Sequence, residues 1–310
     1  MPRTIVITGA AGLVGQNLIA RLARRPEVRI VGVDKHSENT ALLRRLHPDI
    51  AVVEADLAQP GSWRDAMTGA HALVVNHAQI GGLARAEFVA NNVTATERVL
   101  EAAFKARVPY LVGISSSVVN SAAHDYYVET KTAQEKLYLE AGVPCAVLRP
   151  TLMFGWFDRK HLGWLRRFMD RTPVFPIPGR GDTLRQPLYA GDFCAVIEAC
   201  LTGAHTGVHD ISGVEHVTYA ELIRMIHDIV RPRARIVHIP YRAFWALLWL
   251  YARLDRNPPF TTSQLEALVI PEVFPIDNWP QRFDVAPTPL RQALEQTFLD
   301  PQYANLVLKF

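Results

Sequence analysis

The segment from residue 4 to residue 18 constrains the fold of this chain most strongly. It reads as a short apolar strand, TIVIT, followed by the turn GAAGLVG and the start of a helix. Glycines at positions 9, 12 and 15 permit a tight turn, close approach of a pyrophosphate to the backbone, and close packing of helix on strand. A phosphate there meets the positive end of the helix. The segment therefore predicts a dinucleotide-binding strand–turn–helix unit.

The first half of the chain continues this alternation of short apolar runs and longer helical patterns. The predicted strands are 4–8, 29–34, 50–56, 72–78, 110–116 and 145–150, and the predicted helices are near 13–24, 39–46, 85–106 and 127–141. Alternating strands and helices imply right-handed crossovers and a parallel sheet covered on both faces. The strands are almost wholly apolar, which is typical of fully buried parallel strands. We predict an α/β fold with a Rossmann-type doubly wound parallel sheet.

The chain changes character after Pro150, where prolines and aromatic residues become frequent. We predict loops at 156–161 and 172–181 around a helix at 161–171. In open α/β sheets, ligands bind at the C-terminal edge of the strands, and a second lobe would close over that edge. The expected domains are a dinucleotide-binding domain of 1–150 plus about 183–213, and a smaller substrate-binding lobe of about 151–182 and 214–310.

The composition of the 310-residue chain excludes several classes of function. The formal charge is +3, from 33 basic and 30 acidic residues without a dense Lys/Arg run, so we expect no nucleic-acid partner. The three cysteines and 11 histidines show no metal-ligand spacing, so we expect no metal, and the low cysteine count indicates a reduced compartment. The N-terminus enters a strand without a secretory signal pattern, which favours a cytoplasmic location.

The longest apolar stretch is AFWALLWLYA at 243–252, about half of the roughly 20 residues that span a bilayer. With Trp245 and Trp249 four residues apart, it fits an interfacial helix in contact with lipid. It also fits a helix that packs within the second lobe or on another subunit. We prefer the packing interpretation and expect no membrane partner.

Asp34 ends the second predicted strand, 19 residues after Gly15. This is close to the interval of roughly 20 residues expected for a carboxylate that binds the adenosine ribose. Because a carboxylate accepts hydrogen bonds from a diol but repels a 2′-phosphate, NAD is favoured over NADP. Lys35 and His36, directly after it, weaken this preference, and a solvated aspartate at a strand end is the alternative.

The stretch YYVETK at 126–131 opens the last predicted helix of the first half. Tyr127 and Lys131 are four residues apart and share a face, so the ammonium would stabilise the phenolate and lower a pKa that is about 10 in free tyrosine. Tyr126 is about 100° away around the helix and is expected to pack or to touch substrate. The serines of the preceding YLVGISSSVVN lie at the end of a strand on the side of the glycine turn. Together these features predict an acid/base catalyst.

Over nearly its whole length the chain resembles an extended short-chain dehydrogenase/reductase, a group also called the NAD-dependent epimerase/dehydratase family. The matching motifs are TGAAGLVG, Asp56-Leu57, VVNHA, NNVTATERVLEAA, the Ser/Tyr/Lys set, LRPTLMFG and RQPLYAGDF. The resemblance implies bound NAD, a small-molecule substrate such as a nucleotide sugar, and a homodimer.

The resemblance also assigns roles to residues. Tyr127 would take the proton of a substrate hydroxyl as hydride leaves its carbon, and Lys131 would lower the tyrosine pKa and hold the nicotinamide ribose. Ser117 would position the substrate oxygen, with Ser116 as the close alternative. The cofactor residues would be Gly9, Gly12, Leu13, Val14, Gly15, Asp34, Asp56, Leu57, Asn76, His77, Ala78, Asn92, Ser115, Tyr127, Lys131 and Pro150. The substrate residues would be Ser116, Ser117, Gln79, Tyr126 and Arg185.

Departures from the family pattern limit the reaction. Val118 and Val119 stand where the family's dehydratases carry an Asp-Glu pair, and valine cannot transfer a proton, so we expect no dehydratase. An alcohol/ketone oxidoreductase and an epimerase both remain, above all a nucleotide-sugar 4-epimerase or ketoreductase. Leu152 replaces an asparagine that contacts pyrophosphate, which weakens the nucleotide-sugar assignment, whereas Arg185 matches an arginine that grips substrate phosphate and supports it.

Two alternatives stay open at this point. One is a reductase or dehydrogenase of a non-sugar hydroxyl or ketone compound. The other is a non-catalytic dinucleotide-binding accessory protein, because PFTTSQLEALV at 259–269 resembles relatives that are accessory subunits of respiratory complex I. The presence of Ser117, Tyr127 and Lys131 together favours an enzyme.

Overall fold

The computed structural model describes residues 2–121, 125–254, 265–266 and 268–309, so most of the segment 259–269 lies outside the described residues. At its centre is a seven-stranded parallel sheet, which confirms the predicted fold class. Its strands are β1 (Arg3–Thr8), β2 (Val28–Asp34), β3 (Ala51–Glu54), β4 (Ala72–Val75), β5 (Leu111–Ile114), β6 (Cys145–Pro150) and β11 (Gly207–Ile211). Their spatial order is β11-β6-β5-β4-β1-β2-β3.

Helices cover both faces of this sheet. The described helices are α1 (Leu13–Leu22), α2 (Ser37–Leu46), α3 (Arg85–Phe88), α4 (Ala95–Lys105), α5 (Tyr126–Leu139), α6 (Leu162–Arg171), α7 (Ala190–Gly203), α8 (Tyr219–Val230), α9 (Tyr241–Leu254), α10 (Trp279–Phe283) and α11 (Leu290–Leu299). On one face of the sheet lie α1, α7 and α10, on the other lie α4 and α5, and α6, α8 and α11 form a separate core. Adjacent strand residues serve different cores, because Ile7 packs with α1 and α7 on one face and Val6 packs with α4 and α5 on the other. Burial on both faces explains the unbroken apolar strands.

The long helix predicted at 85–106 is interrupted. Between α3 and α4 lies a π-helical turn, Val89–Thr94, whose extra residue per turn changes which side chains face the sheet. Asn92 lies in this turn, is fully buried, and donates from Nδ2 to Thr130 Oγ1 on α5 at 3.0 Å. The irregular turn therefore joins the helix after β4 to the helix that carries the Tyr/Lys pair.

Among the described residues, three short strand pairs lie outside the seven-stranded sheet. They are β7 (Met153–Phe154) with β10 (Leu188–Tyr189), β9 (Leu184–Arg185) with β12 (Val217–Thr218), and β8 (Val174–Pro178) with β13 (Arg235–Ile239). The prediction of a loop at 172–181 is therefore wrong for β8. Prolines are tolerated at the edge of a sheet, and Phe175 and Ile177 alternate into the core of the lobe. The neighbouring helix prediction is confirmed by α6.

Gly113 in β5 fixes how closely α5 approaches the sheet. A methyl group on Gly113 would lie 2.5 Å from a ring carbon of Tyr138, which projects from α5 and is 1% exposed. The ring therefore rests directly on the backbone of the strand. Since α5 also carries Tyr127 and Lys131, this contact sets the depth of both side chains.

We expect Gly113→Ala to lower the free energy of unfolding by about 1–3 kcal/mol, because the added methyl must displace the Tyr138 ring. Urea unfolding followed by circular dichroism measures the change. The double variant Gly113→Ala/Tyr138→Leu regains space at the contact and should lose less than the sum of the two single variants. Additive losses would show that the overlap is not the cause.

Candidate functional site

The glycine turn forms a cradle at the C-terminal edge of the sheet. Gly9 has a φ of 62°, which favours glycine, and a Cβ on it would lie 2.8 Å from the backbone of His77 after β4. A Cβ on Gly15 would lie 2.6 Å from the carbonyl oxygen of Ala10. The close packing leaves the first-turn N–H groups of α1, which begins after Gly12, facing this edge. These features fit the pyrophosphate of a dinucleotide.

Asp34 lies beside this cradle at the end of β2. Its Oδ2 accepts a hydrogen bond from Ala11 N at 3.0 Å, and its Oδ1 accepts one from His36 N at 3.0 Å. Burial raises the pKa of the carboxyl, but the bonds from His36 and Ala11 outweigh burial and hold the pKa below its ordinary value. Lys35 turns away and donates to Asn91 Oδ1 at 2.6 Å. A charged carboxylate next to an already bonded lysine suits a ribose diol better than a 2′-phosphate.

The other predicted cofactor residues are distributed along the same edge. Asn76, directly after β4, donates from Nδ2 to the Gly9 carbonyl at 3.1 Å and so closes the turn from the neighbouring strand. Leu57 and Pro150 are buried, whereas Asp56 and Ala78 are exposed. Leu13 and Val14 form the first turn of α1.

Tyr127 lies in the first turn of α5 beside the serines that follow β5. Burial raises the pKa of its phenol, and a hydrogen bond with the Ser116 hydroxyl acts in the opposite direction. The expectation that Lys131 lowers the pKa of Tyr127 is therefore wrong for this structure, in which the Lys131 ammonium is bonded to Ile114 and Gln134 instead. Ser116 is 8% exposed and caps the short 3₁₀ turn Ser117–Asn120 by accepting from Val118 N at 3.4 Å. The structure thus brings Ser116 to Tyr127 and places Ser117 one residue further on, half-buried.

Lys131 is almost completely buried, with 1% of its surface exposed. Its ammonium donates to the Ile114 carbonyl at 2.8 Å and to Gln134 Oε1. Burial lowers its pKa to about 7, and the nearby Glu135 carboxylate opposes the shift. A lysine with this pKa changes charge within the physiological range.

A chain of polar side chains continues from Lys131, and the sequence analysis missed it. Gln134 Nε2 donates to Thr96 Oγ1 at 2.9 Å, and His77 joins Thr96 through Nε2 at 3.1 Å and Thr8 through Nδ1 at 2.8 Å. Burial, followed by the charge of Lys131, lowers the pKa of His77 to about 3, so its ring is neutral at pH 7. His77 therefore connects β1 to α4 and the catalytic helix.

Glu135 and Arg149 form a second cluster behind the serines. Glu135 accepts from Ser115 Oγ at 2.5 Å and from Arg149 Nε at 2.9 Å, and Arg149 lies 3.8 Å from Asp210 on β11. The Ser115 hydroxyl is therefore engaged by Glu135. The helical spacing that selected Tyr127 extends four residues beyond Lys131 to Glu135, and that signal was available in the sequence.

Asn92 fastens the loop after β4 to the catalytic helix. Its Oδ1 accepts from Gln79 N at 2.6 Å, and its Nδ2 donates to the Gln79 carbonyl at 3.1 Å as well as to Thr130. Tyr126 is 44% exposed and packs its ring 6.1 Å from that of Phe88. Gln79 is thus bonded to Asn92 directly, and Tyr126 is linked to it through Thr130, whose hydroxyl donates to the Tyr126 carbonyl at 2.6 Å.

Arg185, predicted to grip a substrate phosphate, has partners within the protein. Its Nη1 lies 3.0 Å from Glu272 Oε2, its Nη2 donates to the Leu268 carbonyl, and the residue is 7% exposed. Leu152, in the position of the family's asparagine, is 47% exposed. A carboxylate already neutralises the cation that a diphosphate would require.

The sequence of this chain matches a known protein family. The model of the NAD dependent epimerase/dehydratase family matches residues 5–212. The chain belongs to this family. Its cofactor is NAD, and it is an enzyme of the short-chain dehydrogenase/reductase type.

Curated relatives of this family member are distant. It is 32% identical over 181 residues to a sterol-4-alpha-carboxylate 3-dehydrogenase of Schizosaccharomyces pombe, covering 52% of this chain and 53%, about half, of that protein. It is 25% identical over 252 residues to a ceramide reductase of Caulobacter vibrioides, covering 76% and 73%. It is also 25% identical over 279 residues to a mitochondrial NADH dehydrogenase subunit of Arabidopsis thaliana, covering 88% and 67%.

Solved structures share the fold of this family member. The Bordetella bronchiseptica enzyme WbmG in complex with NAD aligns with a TM-score of 0.74 at 21% identity, covering 98% of this chain and 96% of that chain. A UDP-N-acetylglucosamine 4-epimerase of Methanobrevibacter ruminantium aligns with a TM-score of 0.71 at 14% identity, covering 96% and 97%.

The depressed pKa of Lys131 predicts a pH-dependent stability. Its folded-state pKa of about 7 lies below its ordinary value of about 10.4, so between these values the unfolded chain binds more protons than the folded one. Stability should therefore rise with pH in this window, by at most about 1.4 kcal/mol per pH unit from this group. Lys131→Met should remove that slope in urea unfolding between neutral and alkaline pH. Parallel slopes for both proteins would contradict the depressed pKa.

Proposed function

We propose that this enzyme catalyses reversible NAD-dependent hydride transfer at a secondary alcohol or ketone, with Tyr127 as acid/base. The convergence of Tyr127, Ser116 and Lys131 at the edge that holds the glycine cradle carries this proposal. Bound NAD supplies the acceptor or donor of hydride. Val118 and Val119 follow the serines in place of the Asp-Glu pair of the family's dehydratases. We therefore propose proton exchange at one substrate oxygen and no elimination of water.

The serine and tyrosine side chains would have different roles in the reaction. The Ser116 hydroxyl donates to the substrate oxygen and orients it toward Tyr127, with Ser117 as the adjacent alternative. The raised pKa of Tyr127 keeps its phenol protonated in the free protein, so it is ready to donate a proton to a ketone oxygen. In the oxidative direction the phenolate form of Tyr127 would accept the proton of the substrate hydroxyl as hydride leaves its carbon.

The contacts of Arg185 favour a substrate without a diphosphate. Its guanidinium is held by Glu272 and Leu268, and the neighbouring Leu152 presents an apolar side chain. Two relatives are, by name, a sterol-carboxylate dehydrogenase and a ceramide reductase. We therefore propose a largely apolar hydroxyl or keto compound of the sterol or ceramide type as substrate. A nucleotide-sugar 4-epimerase is the second candidate, favoured by the position of Arg185 in RQPLYAGDF.

Tyr127→Phe should lower kcat/KM by at least about 100-fold, because it removes the proton donor and little else. The assay follows NADH oxidation with a 3-oxosterol and a keto-ceramide. NAD binding measured by calorimetry should be retained, which separates lost chemistry from a lost cradle. Ser116→Ala should cost more activity than Ser117→Ala. Full turnover by Tyr127→Phe would refute the mechanism.

We expect UDP and GDP to leave the melting temperature of the NAD-bound protein unchanged, because Glu272 already neutralises Arg185. A thermal-shift titration with each nucleotide measures this. The Arg185→Ala variant serves as the control, because it removes the side chain that would bind the diphosphate. A shift caused by UDP that disappears in Arg185→Ala would restore the nucleotide-sugar candidate and remove the apolar one.

A further inference from the structure

Helix α9 exposes an apolar face on the substrate lobe. Leu247, Trp249 and Leu250 are 55%, 43% and 53% exposed, whereas Phe244 on the opposite side is 9% exposed. Trp245 is half-buried and donates from Nε1 to Oε1 of the exposed Glu266 at 3.1 Å. A surface helix of a globular protein ordinarily turns polar residues outward, so this outer face differs from an ordinary solvated one.

The stretch of sequence that leads into and forms α9 is rich in arginine and contains no acidic residue. The segment 231–254 contains five arginines and no Asp, Glu or Lys, while the whole chain carries a formal charge of +3, so the rest of the chain is net negative. All five are exposed, namely Arg231, Arg233, Arg235, Arg242 and Arg253. The Arg253 guanidinium lies 3.9 Å from the centre of the Trp249 ring. Two of the five arginines, Arg242 and Arg253, therefore lie on the exposed apolar helix itself, and the other three precede it in sequence.

The charge argues against a second copy of this chain as the cover. A symmetric dimer through α9 would bring Arg242 and Arg253 of both copies together, four cations against the Glu266 carboxylate that each copy holds beside Trp245, and like charges at an interface repel. A partner with negative charge at its surface and an apolar interior would neutralise the arginines and cover the exposed leucines. An anionic bilayer has this arrangement, because leucine and tryptophan enter the acyl boundary while arginines remain at the headgroups.

The length of α9 defines how it would meet a bilayer. Its 14 residues extend about 21 Å, less than the hydrocarbon thickness of about 30 Å. None of the helices in the described ranges is long and apolar enough to cross a membrane. An amphipathic helix of this length lies in the plane of the interface.

We propose that the outer face of α9, with the arginines of segment 231–254, docks the protein on the surface of an anionic lipid bilayer. This surface is separate from the residues that bind NAD, so the proposal holds whichever substrate the enzyme uses. It departs from the expectation from sequence that this helix packs within the second lobe or on another subunit.

Vesicle flotation of the full chain tests this docking. The protein should float with phosphatidylcholine vesicles that contain phosphatidylglycerol and stay behind with phosphatidylcholine alone, and added salt should release it by screening the arginines. Leu247→Gln/Leu250→Gln should weaken binding at least about tenfold, because it removes the apolar anchor. Arg242→Glu/Arg253→Glu should also lose binding, which distinguishes charge from apolar contact.

Matched variants control for composition. Phe104→Gln/Leu139→Gln changes two exposed apolar residues elsewhere, and Arg24→Glu/Arg45→Glu changes two exposed arginines elsewhere, so neither pair should alter flotation. Wild-type protein that ignores phosphatidylglycerol vesicles would overturn the proposal. So would dimerisation in sedimentation that Leu247→Gln/Leu250→Gln abolishes, because a second copy would then be the cover. Normal melting curves of all variants exclude unfolding.

Discussion

The burial of the Lys131 ammonium between α5 and the end of β5 is the interaction on which the site depends. A charged lysine with 1% exposure is costly unless its donors are satisfied, and here the Ile114 carbonyl and Gln134 accept them. The bond to Ile114 crosses from α5 to β5 and holds the rotation of the helix, and the contact of Tyr138 with Gly113 fixes its depth. Together they place Tyr127 against Ser116.

The same requirement for hydrogen-bonding partners connects the catalytic helix to the cofactor cradle. From Gln134 the polar chain runs through Thr96 and the neutral ring of His77 to Thr8, the last residue of β1 before the glycine turn. Each of these side chains is buried or half-buried, so removing one leaves its neighbour without a hydrogen-bond partner. Such networks therefore favour a single arrangement of the core. The acid/base groups and the pyrophosphate cradle are thus parts of one polar core.

The sequence predicts the parts of this arrangement that depend on local pattern. The glycine turn, the apolar strands and the Tyr127–Lys131 spacing are each encoded within a few residues, and the fold they predict is confirmed. The contact of Arg185 with Glu272 joins residues 87 positions apart, so no local pattern reports it. The choice between Ser116 and Ser117 depends on where β5 ends, and strand ends are poorly encoded by hydrophobicity. The strand β8 was missed because its prolines suggest a loop, while its partner β13 is far away in sequence.

The contacts of α9 relate the proposed membrane surface to the substrate lobe. Trp245 of α9 is bonded to Glu266, and the stretch that follows supplies Leu268 and Glu272, the partners of Arg185. If α9 is anchored at a membrane interface, its contact with Glu266 would also restrict the motion of the following segment, which supplies the partners of Arg185. An apolar substrate partitions into the bilayer rather than into water. An enzyme bound at the bilayer surface would therefore meet a higher local concentration of such a substrate. Under the two proposals, the internal pairing of Arg185 and the exposed leucines of α9 would have one physical explanation, which is a site that recognises an apolar compound taken from the bilayer.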